Sequence, residues 1–245
     1  MRALILGGTG EGREVARLLH DAGWDVTSSL AGRVDNPKLP VGAVRIGGFG
    51  GPAGLTQWLL HNRVTVIIDA THPFAERISI SAAEAARATG IPLIAVHRKQ
   101  WEPKPRDRWI PVQSMEEAAK VAARDFHHIF LTIGRQQLAP FAFDPHNLYV
   151  IRTVEPPQVK LPPRHRLILS RGPFTKDDEK KLMRDNQIDC VVTKNSGGAL
   201  TQAKLDAARE LGIPVIMVQR PELPTVAYCV HTPLEAYELA EEIAG

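Results

Sequence analysis

Short runs of consecutive apolar, largely β-branched residues recur along this chain, with longer amphipathic segments between them. VTVIIDA (64–70), IPLIAV (91–96), IFLTI (129–133), CVVT (190–193) and IPVIMV (213–218) are almost unbroken by polar side chains. A strand without polar alternation is covered on both faces, the condition of a parallel sheet sandwiched between helices. Helical segments fall where that requires: up to His20, at 82–89, 115–124, 175–185 and 199–211, and finally at 233–243. Further strands are expected at ALIL (3–6), WDVTSSL (24–30), AVRI (43–46), LYVIR (148–152) and LILS (167–170), and PPQVKLPPR (156–164) reads as a loop. The alternation predicts an α/β protein built on doubly wound parallel sheets.

A chain of 245 residues fits two domains. The stretch 99–111 carries three prolines among charged residues and reads as a linker or exposed crossing, after which the alternation restarts. A repeat supports the division. ARATGIPLIAVHR (86–98) matches ARELGIPVIMVQR (208–220) at eight of thirteen positions, offset by 122, and the same offset lays Thr71 on Thr193. Two Rossmann-like domains are therefore expected, at 1–98 and 112–245.

Composition narrows the function classes. No apolar run approaches the ~20 residues of a membrane span. The stretch in MRALILGG is too short for a signal peptide and runs into a glycine turn, so a cytoplasmic protein without a membrane partner is expected. Cys190 and Cys229 are isolated and form no CxxC pair. A net charge of +3, with no basic run interleaved with aromatics, gives no reason to expect a nucleic-acid partner. Oligomeric state is left open, a monomer included.

The first strand runs directly into GGTGEGRE (7–14). Gly8, Gly10 and Gly12 permit a tight turn and let backbone approach a diphosphate, and the helix that follows offers free N–H groups and a positive dipole end. From Gly7 the spacing is GxxGxG, as in extended reductases and epimerases, and Thr9 lies inside it. Glu11 either caps the helix or contacts ligand hydroxyls. The second strand ends in Ser28-Ser29-Leu30, with Arg33 beyond, where an NAD enzyme would place the acid that holds a ribose 2′-OH; Asp25 lies at the wrong end of the strand. Ser29 and Arg33, with Arg13 as a second cation, suit a 2′-phosphate, so NADPH is favoured over NADH; the competing reading of Arg33 is a solvated loop residue. A second glycine cluster containing Gly47 and Gly48 follows the third strand, as a cofactor contact or a flexible turn.

Several chemistries are excluded. Tyr149, Tyr228 and Tyr237 are followed four residues later by Thr153, Thr232 and Glu241, so the Tyr–Lys pair of short-chain dehydrogenases is missing. There is no HExxH, no GxSxG and no Cys/His cluster, and no metal is expected. What remains is polar strand-end loops, the position where open parallel sheets bind ligands. They are Thr71-His72-Pro73, Gly134-Arg135-Gln136, Ser170-Arg171-Gly172, and Thr193-Lys194-Asn195-Ser196-Gly197-Gly198. The last three each carry a cation and would together suit a ligand with several carboxylates. Taken singly, each is as readily a solvated arginine, a helix cap or a turn.

LILGGTGEGRE, DATHPFA (69–75), LTIGRQ (131–136), SRGPF (170–174) and TKNSGG (193–198), with a following Lys204, resemble in their order the precorrin-6A reductase family of cobalamin biosynthesis, over nearly the whole chain. The resemblance implies two Rossmann-like domains with the active site in a cleft between them. It implies NADPH-dependent reduction of a double bond of the precorrin-6A macrocycle to precorrin-6B, a related branch acting on the cobalt-containing substrate. It places the diphosphate on Gly8–Gly12, the 2′-phosphate on Ser29 and Arg33, and Thr71 and His72 near the nicotinamide. His72 is then a candidate proton donor, or else a helix cap or ribose contact. Arg135, Gln136, Arg171, Lys194, Asn195, Ser196, Gly197 and Lys204 would bind the tetrapyrrole. Two other readings share this architecture: a cofactor-free tetrapyrrole enzyme of the uroporphyrinogen III synthase type, which the glycine turn opposes, and a non-enzymatic NADP-binding regulator.

Overall fold

A computed structural model describes residues 1–32 and 38–245. The described chain divides into two compact units, one of residues 1–99 and 221–245, the other of residues 100–220.

The first unit is a six-stranded parallel sheet in the order β12-β5-β4-β1-β2-β3. Its strands are β1 (Arg2–Leu6), β2 (Asp25–Leu30), β3 (Ala43–Ile46), β4 (Val66–Asp69), β5 (Leu93–Val96) and β12 (Tyr228–Val230). Side chains alternate across a strand, so β1 is split between two cores. Ala3 and Ile5 pack with Val15, Ala16 and Leu19 of α1 (Gly10–Asp21) and with Ala236 and Ala240 of α7 (Pro233–Ala244). Leu4 and Leu6 pack with Leu55 and Leu59 of α2 (Gly51–His61) and with Ala82 and Ala85 of α3 (Glu76–Thr89). Both faces are apolar because both are covered, as the continuous runs predict.

The second unit repeats the plan in the order β6-β11-β10-β7-β8-β9, again all parallel. Its strands are β6 (Trp109–Val112), β7 (His128–Leu131), β8 (Leu148–Thr153), β9 (His165–Leu169), β10 (Cys190–Lys194) and β11 (Val215–Val218). Phe130, Val150, Val191 and Met217 form one core with Met183 of α5 (Lys176–Asp185) and with Leu205 and Ala208 of α6 (Ala203–Leu211). On the other side lies α4 (Met115–Asp125), with buried Met115, Ala118 and Ala122.

The two sheets differ from the expected division at their sixth strands. The stretch expected as a linker contains β6, which pairs with β11 in the second sheet (Trp109 opposite Val215, Val112 opposite Val218). The last 25 residues, expected in the second domain, instead add β12 to β5 of the first sheet (Tyr228 opposite Ile94, Val230 opposite Val96). Chain order is thus not domain order. The chain crosses at 99–100 and returns at 220–221, so the first sheet takes its outer strand β12 and its helix α7 from beyond the whole of the second unit. Burial of Ala236 and Ala240 beside α1 holds the C-terminal segment there, and Trp24 Nε1 donates to Glu241 of α7. Helices α4 and α7, which follow the two outer strands, start alike. Ser114 Oγ accepts from Glu117 N at 3.1 Å, Glu117 Oε2 accepts from Gln113 N at 2.7 Å, and Thr232 with Glu235 forms a full capping box. Pro111 is tolerated in β6 because that strand is an edge.

Candidate functional site

In the first unit the β1–α1 turn is built by its own side chains. Gly8 takes φ +102°, a left-handed geometry that glycine adopts without strain. Thr9 caps α1: its Oγ1 accepts from Gly12 N at 3.0 Å and donates to Ala70 O at 2.6 Å, tying the turn to the exit of β4. A Cβ on Gly12 would meet Gly7 Cα at 3.2 Å, a tight contact that the bare position avoids where the helix lies against the turn. Glu11 in the first turn pairs with Arg98 at 2.9 Å. Burial pushes its carboxyl up, but the Arg98 hydrogen bond and charge, with its own backbone N–H and the Thr9 hydroxyl, bring it net below the ordinary value. The helix terminus therefore faces a neutralised carboxylate. Arg13 lies half-buried in the same turn.

At the end of β2, Ser29 is buried and its Oγ accepts from Arg45 Nη1 at 3.0 Å. Arg45 is the β3 residue opposite Ser29, and it also donates to Gly47 O (2.8 Å) and Gly48 O (3.0 Å). Its guanidinium lies 3.7 Å from the Phe49 ring centroid. The second glycine cluster is thus a clamped loop. Arg33, expected beside Ser29, lies outside the described residues.

The loop after β4 hangs on Asp69. This carboxylate, 4% exposed, accepts from Thr71 N (3.0 Å) and Thr71 Oγ1 (2.7 Å). His72 follows, half-buried, its Nδ1 accepting from Phe74 N at 3.2 Å. An accepting Nδ1 leaves the neutral ring's proton on Nε2.

In the second unit, Arg135 pairs with Glu155 at 3.0 Å, while Gln136 and Arg171 are exposed. Lys194 Nζ donates to Gln137 Oε1 at 2.9 Å, a partner one residue beyond the expected Gln136. Asn195 is buried, and its amide pairs with both peptide groups of Trp101: Oδ1 accepts from Trp101 N at 2.9 Å, and Nδ2 donates to Trp101 O at 3.1 Å. Arg220 holds the same loop from outside, donating to Asn195 O (2.8 Å) and Ser196 O (2.9 Å). Gly197 and Gly198 take positive φ, which lets the chain turn there. Lys204 is 4% exposed, donates to Thr201 O at 2.7 Å and stands 4.9 Å over the Trp101 ring. Lys194, Asn195, Ser196 and Gly197 are therefore one cluster, with Lys204 beneath it on Trp101.

Sequence reasoning missed Arg45, Asp69, Gln137 and Arg220. A signal existed for the last: the repeat ends on Arg98 and Arg220, which now prove to be the Glu11 partner and the clamp of the 193–198 loop.

The family model of the precorrin-6x reductases CbiJ/CobK matches residues 2–241. The chain belongs to this family. It is 49% identical to the precorrin-6A reductase of Rhodococcus erythropolis, over the whole of this chain and 95% of that one. It is 33% identical to the cobalt-precorrin-6A reductase of Priestia megaterium, over 90% of this chain and 91% of that one. A solved CobK precorrin-6A reductase superposes with a TM-score of 0.92 at 38% identity, covering 99% of this chain and 97% of the other. Two parallel six-stranded α/β units are thus the fold of a CbiJ/CobK reductase, and no helix among its described residues is long and apolar enough to cross a membrane.

Proposed function

We propose that this chain reduces a double bond of the precorrin-6A macrocycle to give precorrin-6B, in cobalamin biosynthesis, with NADPH as the reductant. The observation that carries the reading is the first βα turn. Its bare positions, Gly8 and Gly12, its Thr9 cap and its Arg98-neutralised Glu11 leave the start of α1 open to a diphosphate, in a chain that matches the reductase family over nearly its whole length. The Gly10 amide and the positive end of α1, with Arg13 close by, would hold that diphosphate, the Gly12 amide being taken by the Thr9 cap. Ser29 takes the adenosine ribose end. Held there, NADPH would supply the hydride for one carbon of the double bond.

The other carbon needs a proton. His72 is the donor in this reading, as the imidazolium formed when Nδ1 releases the Phe74 amide and takes a proton from solvent; Nε2 then gives up its own proton and leaves the neutral ring, on a loop fixed by Asp69 and Thr71. Arg171, Lys194, Arg135 and Gln136 take the peripheral carboxylates. Asn195, Ser196, Gly197 and Lys204 shape the loop that carries Lys194.

The test is anaerobic turnover of precorrin-6A with NADPH and with NADH. Reduction with NADPH well above NADH is expected, and binding of neither nucleotide sinks the proposal. His72→Ala is expected to lower kcat by about 100-fold or more while the NADPH dissociation constant holds. Unchanged kcat would remove the donor role and leave the reductase standing.

A further inference from the structure

We infer that Arg45 is the residue that recognises the 2′-phosphate of the cofactor and so sets the preference for the phosphorylated dinucleotide; this rests on the NADPH reading above. In a doubly wound sheet whose first βα turn takes a dinucleotide diphosphate, the carboxyl end of the second strand meets the adenosine ribose. Here that position is Ser29, and the parallel register sets Arg45 directly beside it on β3. The Ser29 hydroxyl and the Arg45 guanidinium are joined at 3.0 Å. A hydroxyl and a guanidinium on one strand edge are the donor set for a phosphate, whereas a free ribose hydroxyl calls for a carboxylate. The one carboxylate of β2, Asp25, lies at the other end of the strand, paired with Arg2 at 2.7 Å.

The cation is held in place before any ligand arrives. Phe49 stacks on one face, Gly47 O and Gly48 O accept two of its N–H groups, and Nε with one hydrogen of Nη2 has no partner among the described residues. The loop that grips it is itself pinned. Phe49 O lies so close to Gly54 that a Cβ there would sit 1.8 Å from it. Immobilising a guanidinium in advance removes the entropy of ordering a long side chain on binding. Such a site discriminates by charge and geometry together, which a lysine ammonium does not reproduce.

The experiment measures dissociation constants of NADPH, NADH, adenosine 2′,5′-bisphosphate and 5′-AMP for the wild type, Arg45→Gln and Arg45→Lys. Thermal melts of all three establish folding, and Gln keeps N–H donors for the loop carbonyls. Arg45→Gln is expected to weaken NADPH and the bisphosphate by about 10- to 100-fold and to leave NADH and 5′-AMP unchanged, with Arg45→Lys between it and the wild type. Equal weakening of NADPH and NADH would make Arg45 only a strut for the glycine loop and overturn the inference. So would a wild-type preference for NADPH that neither variant alters. A wild type with no preference for the 2′-phosphorylated ligands overturns the NADPH reading and this inference with it.

Discussion

Glu179→Ala is expected to cost the fold about 3–5 kcal/mol, a large effect for a residue on a helix of charged composition. Seven of the ten residues of α5, KDDEKKLMRD, besides Glu179 itself, would serve equally well in water, and nothing in the spacing marks this one as buried. Yet Glu179 is 1% exposed and meets Arg152 Nη1 of β8 at 2.6 Å. Removing the carboxylate leaves a guanidinium in the core with no opposite charge. What it keeps includes two aromatic faces, Phe174 at 3.6 Å and Phe130 at 5.0 Å, which do not replace the opposite charge. Replacing both partners, Arg152→Met with Glu179→Leu, is expected to recover most of the loss, because two desolvation penalties vanish together. Denaturant titrations of the wild type, Arg152→Met, Glu179→Leu and the double give the coupling directly. A Glu179→Ala loss below about 1 kcal/mol would show that water reaches the pair. The double variant has a second use. Phe174 belongs to the 170–174 turn, so a stable double mutant with impaired turnover would tie the position of Arg171 to the Arg152 stack.

What was legible in the sequence depended on the range of the physics involved. The β1–α1 turn is local: glycines at 8 and 12 and a capping threonine between them declare a tight turn into a helix, and the structure has it. β4 and β5 were legible because both faces are covered, leaving each strand wholly buried. β6 and β12 were not: β6 is four residues holding Pro111 at the end of a proline-rich charged stretch, and β12 is three residues with only Val230 partly buried. Their destinations were hidden for a different reason. WIPV and YCV fit either sheet, and the choice is made by α7 alanines meeting α1, a contact more than 200 residues apart in the chain. α2 begins at Gly51, the last residue of the glycine cluster, and was not among the expected helices; Pro52 near its first position helps to start it. The cation beside Ser29 shows the same limit at the site. Proximity along the chain points to Arg33, but a parallel sheet pairs Ser29 across β3 with Arg45, sixteen residues away.

Asn195→Leu is expected to destabilise the protein by about 2–5 kcal/mol, although the residue sits in the loop that reads most readily as substrate-binding. The asparagine amide is the one uncharged side chain of this size that presents a donor and an acceptor side by side, and Trp101 uses both. It stands in for a partner strand at a place where the chain, having just entered the second unit, has none. Leucine fills much of the same volume but leaves the Trp101 N–H and C=O buried without partners, each costing about 1–3 kcal/mol. Asn195→Asp is expected to be as severe. It keeps the acceptor for Trp101 N but sets a carboxylate oxygen against Trp101 O and Gln100 Oε1, the two acceptors that Nδ2 now serves. Thermal melting with and without substrate separates the roles. Loss of melting temperature in the free protein, with KM unchanged in whatever remains folded, identifies Asn195 as the residue that seats Trp101, and through it Lys204 and the 193–198 loop. A variant that melts like the wild type but has a raised KM would place the Asn195 amide on the tetrapyrrole instead, and the hydrogen bonds to Trp101 would then be incidental to stability.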